Sequence, residues 1–185
     1  MDVYAATITR PKSRELAAAR ALMPAPQGRS FPVRTVAENG YTPDIIVAIL
    51  ALFVRSWTDV AQFAPLLRQA TPELTLRAVW QFVRQQITYV LDRPAGVQYI
   101  KTPRAIIWTG IADCKGLAIL QNALLLSLGF QPLFKFAGYV PGGQFTHVYS
   151  QVLVNGRRYT LDACLPEFDQ EKPPAVSRLE VAPRA

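Results

Sequence analysis

Apolar residues follow a helical period in the first two thirds of the chain and alternate in the last third. Every position from Ile45 to Val54 is apolar, between Asp44 and Arg55. In front of it, Thr42-Pro43-Asp44 supplies a capping hydroxyl, a proline for the first helical position and an acid for the first turn. Thr71-Pro72-Glu73 repeats that signal, and Leu76, Val79, Val83 and Ile87 then recur at helical spacing, with Arg77, Arg84 and Gln85 on other faces. Trp80 and Phe82 add bulk to this helix and are expected in the core. The stretch from Asp92 to Ala112 reads as a loop. Asp113 can cap a helix over Cys114 to Leu128, stopped by Gly129. That helix is apolar on nearly every side, so it is expected to be the buried centre of the domain.

Beyond Gly129 the pattern predicts strands at Leu133–Tyr139, Thr146–Val154 and Arg157–Ala163, with a turn at Pro141-Gly142-Gly143. Asn155-Gly156 is a strong two-residue hairpin signal. It sets Val154 opposite Arg157, Tyr149 opposite Asp162 and His147 opposite Cys164. His147, Tyr149, Asp162 and Cys164 then share one face of the sheet, and Val148, Val152, Tyr159, Leu161 and Ala163 share the other. Helices followed by an antiparallel sheet make an α+β domain, expected over residues 41–165. Residues 1–40 read as an arm: a short helix within Lys12 to Met23, then Pro24, Pro26, Gly28 and Pro32. Residues 166–185, with Pro166, Pro173, Pro174 and Pro183, read as a polar tail with little to bury. Both ends are expected to order against a partner or another subunit.

Composition narrows the classes. The 185 residues are 50% hydrophobic and 18% charged, enough apolar material for a core and too much for a disordered chain. No apolar run reaches the roughly 18 residues of a membrane span. Arg10, Lys12, Arg14 and Arg20 interrupt any signal-peptide core, so a cytoplasmic protein is expected. Two cysteines and one histidine are too few for a disulfide scaffold or a four-ligand structural zinc site, and no metal or cofactor is expected. The net charge of +7 is spread along the chain without a nucleic-acid-binding motif, which is the pattern of a solvated basic surface.

A nucleophilic cysteine needs a stabilised thiolate, a base in reach and a group that orients the base. The start of the central helix offers the first to Cys114 through its partial positive charge. His147 is the sole histidine, and the hairpin makes Asp162 its diagonal neighbour, within reach of a carboxylate–imidazole hydrogen bond. The competing reading takes Cys114 as a small apolar packing residue and His147 as structural. Cys164, at a strand end without a helix dipole, suits attack less well.

Three strings, Gly110-Ile111-Ala112-Asp113-Cys114-Lys115-Gly116-Leu117-Ala118, Phe145-Thr146-His147-Val148-Tyr149 and Tyr159-Thr160-Leu161-Asp162-Ala163, resemble the transglutaminase-like superfamily. The Trp80–Asp92 helix and Gln98-Tyr99-Ile100-Lys101-Thr102-Pro103 are also similar to it, so the resemblance covers about Thr71 to Ala163. It implies a papain-like arrangement with Cys114 as nucleophile, His147 as base and Asp162 as orienting acid. The oxyanion hole would combine the Cys114 backbone N–H with one side-chain donor. Gln98 offers an amide, and Trp108 stands at the offset before Cys114 where papain-like enzymes place a glutamine. Two positions depart from the family pattern. Ala112 replaces a frequent glycine, and Lys115 stands where calcium-dependent members tend to carry an acid, which argues against such a metal site.

The reaction so implied is hydrolysis, or amine capture, of an amide in a protein or peptide. Cys164, on the same face as His147, is a candidate resolving thiol for an oxidised Cys114. The alternative function is a structural or assembly protein that packs through its terminal arms. Compact members of this appearance occur in bacteria and in tailed bacteriophages, some of them virion-associated.

Overall fold

The cap signals translate into helix starts. In the computed structural model, which describes residues 12–24, 34–36, 42–91, 98–172 and 176–183, helix α1 (Arg14–Ala21) begins at Ser13, whose hydroxyl accepts from the Leu16 amide at 3.1 Å. Strand β1 (Arg34–Val36) and helix α2 (Thr42–Ser56) follow, then 3-10 turns at Trp57–Val60 and Ala64–Leu67. Helix α3 (Pro72–Gln86) starts where Thr71 accepts from the Leu74 amide at 3.2 Å. Short strands β2 (Thr88–Tyr89) and β3 (Gln98–Ile100) lead to helix α4 (Pro103–Thr109), strand β4 (Ile111–Ala112) and the central helix α5 (Cys114–Ser127). Strands β5 (Pro132–Gly138), β6 (His147–Val154), β7 (Arg157–Leu161) and β8 (Ser177–Val181) form an antiparallel sheet in the order β7-β6-β5-β8. The fold is α+β.

Helix α5 is buried from Lys115 to Leu125 because neighbours surround it: α3, α4 and the turn Trp57–Val60 on the helical side, β6 and β5 on the other. The apolar stretch of α2 has one buried side. Ile49 and Phe53 are fully buried, Phe53 meeting Phe134 of the sheet edge to face at 5.2 Å, while Val47 and Val54 are exposed. No helix among the described residues is long and apolar enough to cross a membrane.

Four expectations change. The Asp92–Ala112 stretch is not a loop throughout: Thr102 accepts from the Ala105 amide at 3.2 Å, Pro103 opens α4, and Gly110, at φ 69°, closes it. The arm packs on the domain itself, with Leu16 and Ala19 fully buried and the Arg20 guanidinium donating to the Ile107 carbonyl at 3.0 Å. The tail contributes β8, which pairs antiparallel with β5 from Phe134↔Val181 to Gly138↔Ser177. The hairpin has the expected register from Val154↔Arg157 to Ser150↔Leu161 and stops there. Tyr149–Asp162 and His147–Cys164 are therefore not ladder pairs. The Asp162 carboxylate accepts from the Cys164 amide at 2.9 Å and its carbonyl from the Leu165 amide at 3.1 Å, which turns the chain out of the sheet. The arm around Arg10, the stretch through Pro26, Gly28 and Pro32, and Pro173 and Pro174 lie outside the described residues.

Candidate active site

Cys114 is the first residue of α5. Asp113 caps the helix, its carboxylate accepting from the Gly116 amide at 3.1 Å. The parallel pair β2–β4 aims this turn: Thr88 lies opposite Ile111 and Tyr89 opposite Ala112. Helix N–H groups and the positive end of the dipole therefore face any negative charge that develops on the Cys114 sulfur. Across from it, His147 opens β6, and Asp162 follows the last residue of β7. His147 Nε2 and Asp162 Oδ2 are 2.7 Å apart. Nδ1 is the ring nitrogen left for Cys114, and the two residues line one small cavity with Gln98.

Burial works against charge on the ring, but hydrogen bonds with Asp162 and Cys114 outweigh it and raise His147 to about 9. At pH 7 the ring is an imidazolium held by a carboxylate that is only 3% exposed. The backbone at Asp162 and Ala163 is held by two side-chain donors. The Asp162 carbonyl accepts from the Trp80 indole at 3.0 Å, and Arg84 donates to the Ala163 carbonyl at 3.1 Å. The Tyr149 ring lies 5.5 Å from the imidazole, and its hydroxyl donates to Glu171, which pairs with the buried Lys135 at 2.6 Å.

Gln98 reaches the cavity and Trp108 does not line it. The Trp108 ring lies instead against the Arg20 guanidinium, 5.5 Å from its centroid. Lys115, in the sequence only a departure from a family pattern, has a local part. Its ammonium is buried, pairs with Asp113 and donates to Gln98 Oε1 at 2.7 Å. An ammonium has only donors, so it holds the amide oxygen and leaves the amide N–H2 for the cavity. Trp80, read as core, also holds the backbone of Asp162. Neither the Lys115–Gln98 nor the Trp80–Asp162 bond has a sequence signal, because each joins residues that are distant along the chain.

Cys164 is beside the histidine despite the lost register. A sulfur, a ring nitrogen and a carboxylate oxygen from Cys164, His147 and Asp162 all lie within 4.8 Å of one another. Burial, and then the neighbouring Asp162 charge, push the Cys164 thiol well up.

The model of a transglutaminase-like domain family matches residues 58–173, more than half of the chain. No curated protein sequence matches. Among solved structures, a candidate protease from Parabacteroides distasonis superposes with a TM-score of 0.53 at 12% identity, covering 87% of this chain and 36% of that one. Calcium-bound LapG of Legionella pneumophila gives 0.49 at 20% identity, with 69% of this chain and 75% of that one covered.

Proposed function

The chain belongs to the transglutaminase-like domain family, and on that premise we propose that it is a cysteine-dependent amide hydrolase acting on a protein or peptide. Cys114 is the nucleophile, His147 the acid–base and Asp162 the orienting acid. The observation that carries this reading is the 2.7 Å contact between His147 and Asp162, with His147 and Cys114 lining one cavity at the start of a buried helix.

The Cys114 sulfur attacks the amide carbonyl, and the imidazolium protonates the departing nitrogen. Negative charge on the carbonyl oxygen meets the Cys114 backbone N–H and the Gln98 amide, held by Lys115. Water then takes the place of the departed amine and gives a proton to Nδ1 as its oxygen adds to the thioester. The C–S bond breaks, releasing the acid and returning the Cys114 thiolate and the imidazolium. The His147 side chain keeps 15% of its surface exposed, which favours water over a sequestered amine as acceptor. Ile46, Ile49, Phe136 and Phe145 line the cavity and favour an apolar side chain beside the scissile amide.

The test is labelling with an electrophilic peptide probe of apolar sequence, read by mass spectrometry. Modification confined to Cys114 and lost in His147→Ala supports the reading. Equal labelling of Cys114 in His147→Ala and in the parent refutes it.

A further inference from the structure

His147 stands between two cavities. One holds Cys114 and Gln98; the other, of about 320 Å³, lies on the Asp162 side and is lined by Tyr139, Thr146, His147, Asp162, Cys164 and Lys172, among others. The second cavity contains the nitrogen, oxygen and sulfur atoms that lie within 4.8 Å of one another. A tetrahedral zinc ion with bonds of about 2.0–2.3 Å needs ligand atoms roughly 3.3–3.8 Å apart. The three atoms need to move by only about 1 Å to meet that requirement. Imidazole, carboxylate and thiolate suit a borderline-soft cation better than calcium or magnesium, which prefer oxygen.

We propose that His147, Asp162 and Cys164 form an inhibitory Zn²⁺ site, entered from the cavity on the Asp162 side and separate from the Cys114 cavity. Zinc takes the place of the ring proton at Nε2, and the Cys164 sulfur binds as thiolate. Both protons leave to solvent, and water fills the fourth position. The metal draws the imidazole about 1 Å toward the Asp162 side and takes its Nδ1 proton out of reach of the Cys114 sulfur, which loses the hydrogen bond that holds it as thiolate. Lys172, whose ammonium lies 4.7 Å from the Tyr139 ring centroid, is the cation at this entrance and must swing outward. Metal binding stands on the geometry alone, and only its inhibitory consequence rests on the proposed triad.

The test uses Co²⁺ as a spectroscopic substitute and Zn²⁺ as competitor, on full-length protein whose variants are first checked for cooperative thermal unfolding. The expected result is a thiolate-to-cobalt charge-transfer band with tetrahedral visible absorption, bleached by Zn²⁺. Cys114→Ser keeps the band, whereas Cys164→Ser and Cys164→Ala lose it and weaken cobalt binding by more than about tenfold. Alkylation of Cys114 slows by more than about tenfold at saturating Zn²⁺ in the parent, and remains at its own metal-free rate in Cys164→Ala. Absence of a band, or a band lost in Cys114→Ser and retained in Cys164→Ser, overturns the site. A Cys164-dependent band with unchanged Cys114 alkylation keeps the site and overturns its inhibitory effect.

Discussion

Gly116 sits in the first turn of α5, two positions after Cys114, and the turn packs against β4 with no room for a side chain. A Cβ at this position would stand 2.7 Å from the Ala112 Cβ and 3.4 Å from Ile106 Cδ1. Carbon atoms pack at about 3.5–4.0 Å, so Gly116→Ala forces the helix turn and the strand apart by about 1 Å. Ala112 is 2% exposed and has no rotamer with which to yield. Overpacking of this kind costs about 1–3 kcal/mol, and the better helix propensity of alanine returns up to about 1 kcal/mol. The net loss expected is about 1–2 kcal/mol, or roughly 2–8 °C in the melting temperature for a domain of this size. Urea unfolding measures the first quantity. The rate of Cys114 alkylation measures the accompanying displacement of Cys114 and is expected to fall. The double variant Gly116→Ala/Ala112→Gly removes the atom that is met, so it should recover most of the loss attributed to the clash, with a coupling of about 1–2 kcal/mol. A Gly116→Ala protein as stable as its parent with unchanged alkylation, or a double variant whose losses simply add, would refute the packing argument.

Three further outcomes follow from the site. Because the folded state raises His147 to about 9 from its ordinary 6.5, its stabilising contribution is fully present below about pH 6.5 and is lost as pH rises through about 9. Urea midpoints should fall over that window, and the slope should flatten in His147→Gln. Lys115→Met leaves the Asp113 carboxylate buried without that ammonium and frees the Gln98 amide to rotate. A loss of about 3 kcal/mol is expected from chemical denaturation, with kcat on any substrate falling more than KM changes. Trp80→Phe removes the donor to the Asp162 carbonyl, which still accepts from Leu165. A loss of about 1 kcal/mol in urea unfolding is expected, and a loss above 3 kcal/mol would mean that the indole does more than hold that carbonyl.

Local signals were legible along the sequence, and long-range pairings were not. A capping hydroxyl with proline behind it acts within one turn, so α3 starts at Pro72 directly behind Thr71, while α2 starts at Thr42, one residue ahead of Pro43. Thr102-Pro103 carries the same signal, but α4, with 7 residues, is too short to show a hydrophobic period. Asn155-Gly156 set the β6–β7 register through backbone geometry alone, with φ of 50° and 77°. The register ended at Leu161 because the Asp162 side chain bonds the backbone ahead of it, a competition that strand alternation does not report. Strand β8 is short and mostly exposed, so only its partner β5 makes it a strand. The place of Cys114 at a helix start was readable from the Asp113 cap, and the nearness of His147 and Asp162 from the hairpin. Tertiary packing alone decided what comes together: Gln98 rather than Trp108 lining the Cys114 cavity, Lys115 on the Gln98 oxygen, Trp80 on the Asp162 carbonyl, and Cys164 beside the imidazole. Hydrogen bonds within a few residues are determined by the residue types in one stretch, whereas contacts across the site depend on how α5 and the sheet pack together.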